Sequence, residues 1–251
     1  MRLILKNNGT TALKLFSALA FILCMPGILN AQRNAKPGFV TYHVDLKKQE
    51  LKFYWRDEQQ QIFRNFANLK TWLEKRNIYL EFAMNGGMYN EQNGPQGLYI
   101  ENKQTLNPID LRKGKGNFYL KPNGIFYISN DLQAGVCVSE KFKHGNVKYA
   151  TQSGPMLLID GKMHPAFKKG SKNLNIRNGV GIIDKQHIVF VMSKQEINFY
   201  DFADYFRSLG CKNALYLDGH ISKTFLPAEN LLQTDGNFGV IIAVVSNKKS
   251  K

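Results

Sequence analysis

The chain has 251 residues, 43% of them apolar and 21% charged, and a formal net charge of +15 at neutral pH. That length fits one domain with a sizeable core. Beyond the N-terminal region no apolar stretch is long enough for a transmembrane helix, and no internal repeat, low-complexity tract or Pro/Ser-rich linker divides the chain, which excludes a multi-spanning helical membrane protein and a repeat array.

Arg2, Lys6 and Lys14 precede an apolar run from Leu15 to Cys24, which Pro26 and Gly27 break before the small residue Ala31. A basic start, a short apolar core and a small terminal residue predict a secretory signal peptide over residues 1–31, with a retained membrane anchor as the alternative. Residues 32–251 are then one periplasmic or secreted domain, with no stable membrane insertion after processing. In an exported chain the basic balance points to anionic glycans, phosphate-bearing substrates or a lipid headgroup surface rather than to nucleic acid, and the lysines are scattered rather than interleaved with aromatics. Cys137 and Cys211 both sit in apolar company, and the sequence leaves open whether they pair. Oligomeric state is equally open.

Residues 39–45 and 51–55 read as a strand pair around a polar turn. A helix follows over 60–75, where Ile62, Phe66, Leu69 and Leu73 share one face. Residues 78–84 form a strand leading into Asn85-Gly86-Gly87, and 96–160 alternates short β-like runs with glycine and asparagine turns. A strand at 187–193 precedes a helix over 199–209, capped by Asn198 and ended by Gly210. Strands at 214–217, which delivers Asp218, and at 240–245 complete the chain. The expected class is α+β: a single domain with a mixed, largely antiparallel sheet and a few flanking helices.

Five glycine-broken segments stand out, at 85–101, 121–128, 150–165, 175–183 and 213–227. Each joins an apolar strand-like run to glycine and one or two polar side chains, a pattern suited to a single pocket assembled from distant strand ends. There is no Walker loop, GxGxxG, HExxH, CxxC or GxSxG. Histidines 43, 144, 164, 187 and 220 are too dispersed to argue for zinc, and only His164 and His220 merit weighing.

At these segments the chain resembles the phosphodiester glycosidase domain family, over roughly residues 40–246. Asn85-Gly86-Gly87 with Tyr89 is similar to the family's NGG-aromatic signature, and Gln152-Ser153-Gly154-Pro155 with Asp160-Gly161 to its SGP…DG segment. Arg177 with Gly179 and Gly181 resembles its arginine-then-glycine strand entry, and Leu217-Asp218-Gly219 its LDG turn. Many members continue with further glycines and serine, where this chain has His220-Ile221-Ser222-Lys223, a version closer to a bacterial exported subgroup than to the mammalian uncovering enzyme.

The resemblance implies an exported hydrolase that cleaves a sugar-1-phosphodiester through an oxocarbenium-like transition state. A phosphodiester is already a good leaving group, so one carboxylate and a cationic clamp suffice where ordinary glycosidases need two carboxylates. Asp218 is the expected nucleophile or base, and Arg177 the expected phosphate fork. Asn85 would meet sugar hydroxyls and the amides of Gly86 and Gly87 an anion. Ser153, His220, Ser222 and Lys223 complete the expected substrate contacts. No cofactor is called for, although Asp218 with neighbouring carbonyls is the kind of site that holds a hard cation such as calcium. The alternative is a non-catalytic glycan-binding protein assisting exopolysaccharide biosynthesis or export.

Overall fold

The computed structural model describes residues 38–218 and 221–247, so the expected signal peptide lies outside the described residues. In chain order the elements open with β1 (Phe39–Asp45), β2 (Glu50–Tyr54), α1 (Phe66–Glu74) and β3 (Tyr79–Asn85). The middle supplies β4 (Tyr99–Glu101), β5 (Gln104–Asn107), β6 (Gly124–Ser129), β7 (Ala134–Val138), β8 (Val147–Ser153), β9 (Met156–Ile159) and β10 (Lys162–Met163). Then come β11 (Asn178–Ile182), β12 (His187–Ser193), α2 (Phe199–Ser208), β13 (Asn213–Asp218), β14 (Thr224–Leu226), β15 (Leu231–Leu232) and β16 (Ile241–Ser246).

These strands make three sheets: β1-β12-β11-β13-β9-β10, β15-β14-β3-β16-β2 and β5-β4-β8-β6-β7. The protein is α+β, as expected, but the single mixed sheet becomes three, and their paired strands run antiparallel. β1 and β2 do not pair with each other. β1 lies on β12 and β2 on β16, so the turn at Asp45 carries the chain from the first sheet to the second. Alternation of side chains specifies a strand's faces, not its partner.

One aromatic centre holds the sheets together. Phe190 of the first sheet meets Phe82 of the second, with ring centroids 5.3 Å apart, and Phe126 of the third at 5.9 Å. Phe126 in turn meets Phe53 of the second sheet at 5.5 Å. All four rings are buried, each contributing about 2–3 kcal/mol through lost water contact. α1 covers the second sheet with Phe66, Leu69 and Leu73, and α2 covers the first with Phe202 and Phe206.

The helix caps follow from asparagine chemistry. Asn198 Oδ1 accepts from the Asp201 N–H at 2.9 Å, and Gly210 at φ +85° ends α2, as the sequence indicates. α1 starts later than its apolar periodicity suggests. Gln60 and Arg64 have positive φ, which no helix allows, and Asn65 caps the first turn by accepting from the Asn68 N–H at 2.9 Å. Cys137 and Cys211 do not pair with each other.

Candidate active site

In an antiparallel ladder the start of one strand lies beside the end of its neighbour. Asn178, opening β11, is therefore in register with Asp218, closing β13. β3 ends at Asn85 and β8 at Ser153, and side-chain bonds draw all of these ends together. Asn178 Nδ2 donates to Asn85 Oδ1 at 2.7 Å and to the Asn85 carbonyl at 3.1 Å, joining the first sheet to the second. Ser153 Oγ donates to the Leu217 carbonyl at 2.6 Å, joining the third sheet to the first. Returning after Asp218, the chain places the Lys223 N–H on Asn85 Oδ1 at 2.9 Å and the Ser222 hydroxyl on the Ile176 carbonyl at 3.0 Å. Gly124 of β6 lies opposite Ser153, so all five glycine-broken segments meet here.

Asn85, Ser153 and Asn178 are wholly buried. Buried polar groups are retained only where hydrogen bonds replace water, and these bonds also fix which way each amide points. Asn178 is the residue that sequence reasoning passed over. Its signal was a polar side chain opening the apolar run Gly179–Ile183, directly after Arg177.

The turn after Asn85 is pressed between two sheets. A Cβ on Gly86 would come within 2.5 Å of Ile242 Cγ1 in β16, and one on Gly87, at φ +154°, within 2.5 Å of Thr151 Oγ1 in β8. Close approach thus requires both glycines. The Gly86 amide expected to face an anion instead donates to the Val240 carbonyl at 2.8 Å.

Arg177 also differs from the open fork expected of it. Adjacent residues on a strand point oppositely, and while Asn178 reaches Asn85, Arg177 turns under α2. Its side chain is wholly buried, with the guanidinium 3.7 Å from the centre of the Phe199 ring. Nε donates to the Ile197 carbonyl at 2.7 Å, one terminal nitrogen to the Asn173 carbonyl at 2.9 Å and its Oδ1 at 3.2 Å, and the other to the Tyr216 hydroxyl at 3.3 Å. Burial lowers its pKa, with the Tyr216 hydroxyl opposing, and no carboxylate contributes. Arg177 is thus a buried cation with no anionic partner among the described residues.

Ser153 and Ser222 spend their hydroxyls on the carbonyls named above. Lys223 Nζ pairs with Asp235 at 2.9 Å, which holds that carboxyl below its usual pKa. His220 lies outside the described residues. His164 is buried and stacked on Phe167, and burial pushes its pKa down. Among the described residues no group of three or more His, Cys, Asp or Glu side chains is placed to share a metal ion, and no helix is long and apolar enough to cross a membrane.

Residues 79–245 match the sequence profile of the phosphodiester glycosidase family. The uncharacterized protein YigE of Escherichia coli (strain K12) is 37% identical over 187 residues, which are 74% of this chain and 73% of that one. Among solved structures, the zebrafish N-acetylglucosamine-1-phosphodiester alpha-N-acetylglucosaminidase catalytic domain, auto-inhibited by its pro-peptide, superposes with a TM-score of 0.51 at 12% identity, covering 82% of this chain and 88% of that one. A hypothetical protein from Synechocystis superposes with a TM-score of 0.52 at 14% identity, covering 84% of this chain and 60% of that one. At such identities these two are likenesses of fold.

Proposed function

The chain belongs to the phosphodiester glycosidase family, and on that footing we propose that it is an exported hydrolase cleaving a sugar-1-phosphodiester in a glycan or glycoconjugate. The observation that carries this reading is the Asn178 junction, where one residue bonds Asn85 of the NGG turn and stands in register with Asp218 of the LDG turn. Asp218 acts as nucleophile, or as base for water, from the end of a core strand. Its backbone is fixed by the ladder, which keeps the cost of orienting it low.

The phosphate leaves as an anion and needs no proton from a second carboxylate. Arg177 serves here through charge and position rather than as an exposed fork. Its buried positive charge, one residue from Asn178, favours an anion at this end of the sheet, and in a low-dielectric setting such a charge acts more strongly than in water. Asn85 orients the junction through its bonds to Asn178 and Lys223. The basic start and apolar run of residues 1–31 support export, with the reaction outside the cytoplasm.

The test is turnover of an aryl or nucleotidyl sugar-1-phosphodiester by the purified protein. Wild type should hydrolyse at least one such diester, and Asp218→Asn should lose about 10³-fold or more in kcat while still binding substrate. Full activity in Asp218→Asn removes that residue from the mechanism. Binding without turnover by wild type would instead establish a glycan-binding protein.

A further inference from the structure

A cleft of about 770 Å3 begins two residues beyond Gly87, at Tyr89. One wall is residues 89–97 and the other residues 107–112, with Tyr119 also on its lining. The walls are stitched together beneath. Asn107 Nδ2 donates to the carbonyls of Gly97 at 2.6 Å and Pro95 at 3.1 Å. Gln152, almost wholly buried, accepts at Oε1 from the N–H groups of Leu98 and Asp110 and donates through Nε2 to the Asp110 carbonyl. Gln152 immediately precedes Ser153, whose hydroxyl holds Leu217 beside Asp218. The cleft is therefore rooted in the same strand end as the proposed reaction site.

Its rim is equally fixed. Asn90 Oδ1 accepts from the Gln92 and Gly94 N–H groups, the Trp55 indole N–H donates to the Asn93 carbonyl at 2.9 Å, and Arg64 reaches Asn93 Oδ1 at 2.6 Å. A preformed wall of this kind loses little order on binding.

The lining offers two kinds of recognition. Among the described residues, no protein group hydrogen-bonds the side-chain amides of Gln92 or Gln96, although Gln96 is half-buried. An amide donates and accepts in one plane, which is the demand a sugar hydroxyl makes. The second kind is charge. Arg112 forks onto the buried carboxylate of Asp110 at 3.0 and 2.8 Å, yet its side chain is 81% exposed and its third nitrogen has no protein acceptor among the described residues. Lys113 and Lys115 follow on the same exposed turn. Gly114 between them lies flat on the Tyr119 ring, where a Cβ would come within 2.5 Å of Cδ2, so the basic turn is held at the edge of the cleft. Asp110 is masked by Arg112 and by the Tyr119 hydroxyl at 3.0 Å, which leaves Glu91 as the exposed carboxylate of the lining.

We propose that this cleft is the subsite for the glycan chain that continues beyond the scissile phosphodiester, and that this glycan is acidic. Gln92 and Gln96 read its hydroxyls, and the turn at residues 112–115 meets its anionic groups. The proposal rests on the hydrolase reading above but is measured without turnover. Isothermal titration of the full chain would use three probes: an alginate hexasaccharide carrying carboxylates, a phosphomannan hexasaccharide carrying phosphates, and neutral maltohexaose.

At least one acidic hexamer should bind about tenfold tighter than maltohexaose, with an affinity that falls as salt rises. Gln96→Glu keeps the shape of the side chain and adds a repelling charge, so it should weaken that acidic hexamer about tenfold while the melting temperature holds. The triple change Arg112→Gln, Lys113→Gln, Lys115→Gln should weaken it similarly and flatten its salt dependence. If both acidic hexamers bind no better than maltohexaose, or if Gln96→Glu binds like wild type, the subsite is wrong. Turnover of a small diester without acidic-hexamer binding removes the subsite and leaves the hydrolase. The expected hexamer pattern with no diester turned over removes the hydrolase and leaves an acidic-glycan site.

Discussion

Arg177→Lys tests the least ordinary group in the protein, a wholly buried cation whose hydrogen bonds run to neutral oxygens among the described residues. The wild-type guanidinium makes four donations, to the carbonyls of Ile197 and Asn173, to Asn173 Oδ1 and to the Tyr216 hydroxyl. A lysine ammonium on a straight stem reaches one or two of these acceptors and leaves the others buried without that donor. Hydrogen bonds from a charged donor are each worth about 1.5–3 kcal/mol, so two lost bonds predict a destabilisation of about 3–6 kcal/mol at pH 7. That is a large part of the stability of an ordinary domain.

Lysine, unlike arginine, can also lose its proton. Burial without a counter-charge depresses the folded-state pKa of the new ammonium below its unfolded value. Between those two pKa values the unfolded chain binds more protons than the folded one, so the stability of the variant rises with pH. Urea unfolding at pH 7, 8.5 and 10 should show Arg177→Lys recovering stability relative to wild type as pH increases. A variant as stable as wild type at pH 7, with no relative slope, would refute the buried setting described for Arg177.

Three further outcomes follow from the same geometry. Asn178→Asp replaces a donor with an acceptor facing Asn85 Oδ1 and the Asn85 carbonyl, and urea titration at pH 8 should show a loss of about 2–4 kcal/mol, partly regained near pH 4 where the carboxyl is protonated. Gly181→Ala places a Cβ 2.6 Å from both Cys211 Sγ and the Phe206 ring, so denaturant unfolding should register a loss of about 1–3 kcal/mol; an unchanged midpoint would mean α2 does not rest on β11 as described. Burial pushes the Glu101 carboxyl up to about 7, against the Tyr99 hydroxyl and Trp55 backbone hydrogen bonds, which lower it. With the folded pKa raised, the folded state holds the proton longer, and this contribution to stability is lost as pH rises from the ordinary carboxylate range through about 7. Glu101→Gln should therefore be more stable than wild type at pH 8, by about 3 kcal/mol, and no less stable at pH 4. Parallel stability–pH curves for the two proteins would contradict that placement of Glu101.

The sequence by itself determined the local elements and the segments that carry the site. The strands at 187–193 and 214–217 and helix α2 were legible because alternation, apolar faces and the Asn198 and Gly210 caps are properties of neighbouring residues. The glycine-flanked polar residues were legible too, since few other patterns place Asn, Arg or Asp at the ends of apolar runs. Partnership was not legible. That β1 seeks β12 rather than β2, and that Asn178 binds Asn85 across 93 residues of chain, are outcomes of packing three sheets on one aromatic centre. The role of Arg177 was hidden for a related reason. A strand's alternation says that neighbouring side chains part company, but only the covering of one face by α2 decides which of them is buried beneath Phe199 and which reaches the junction.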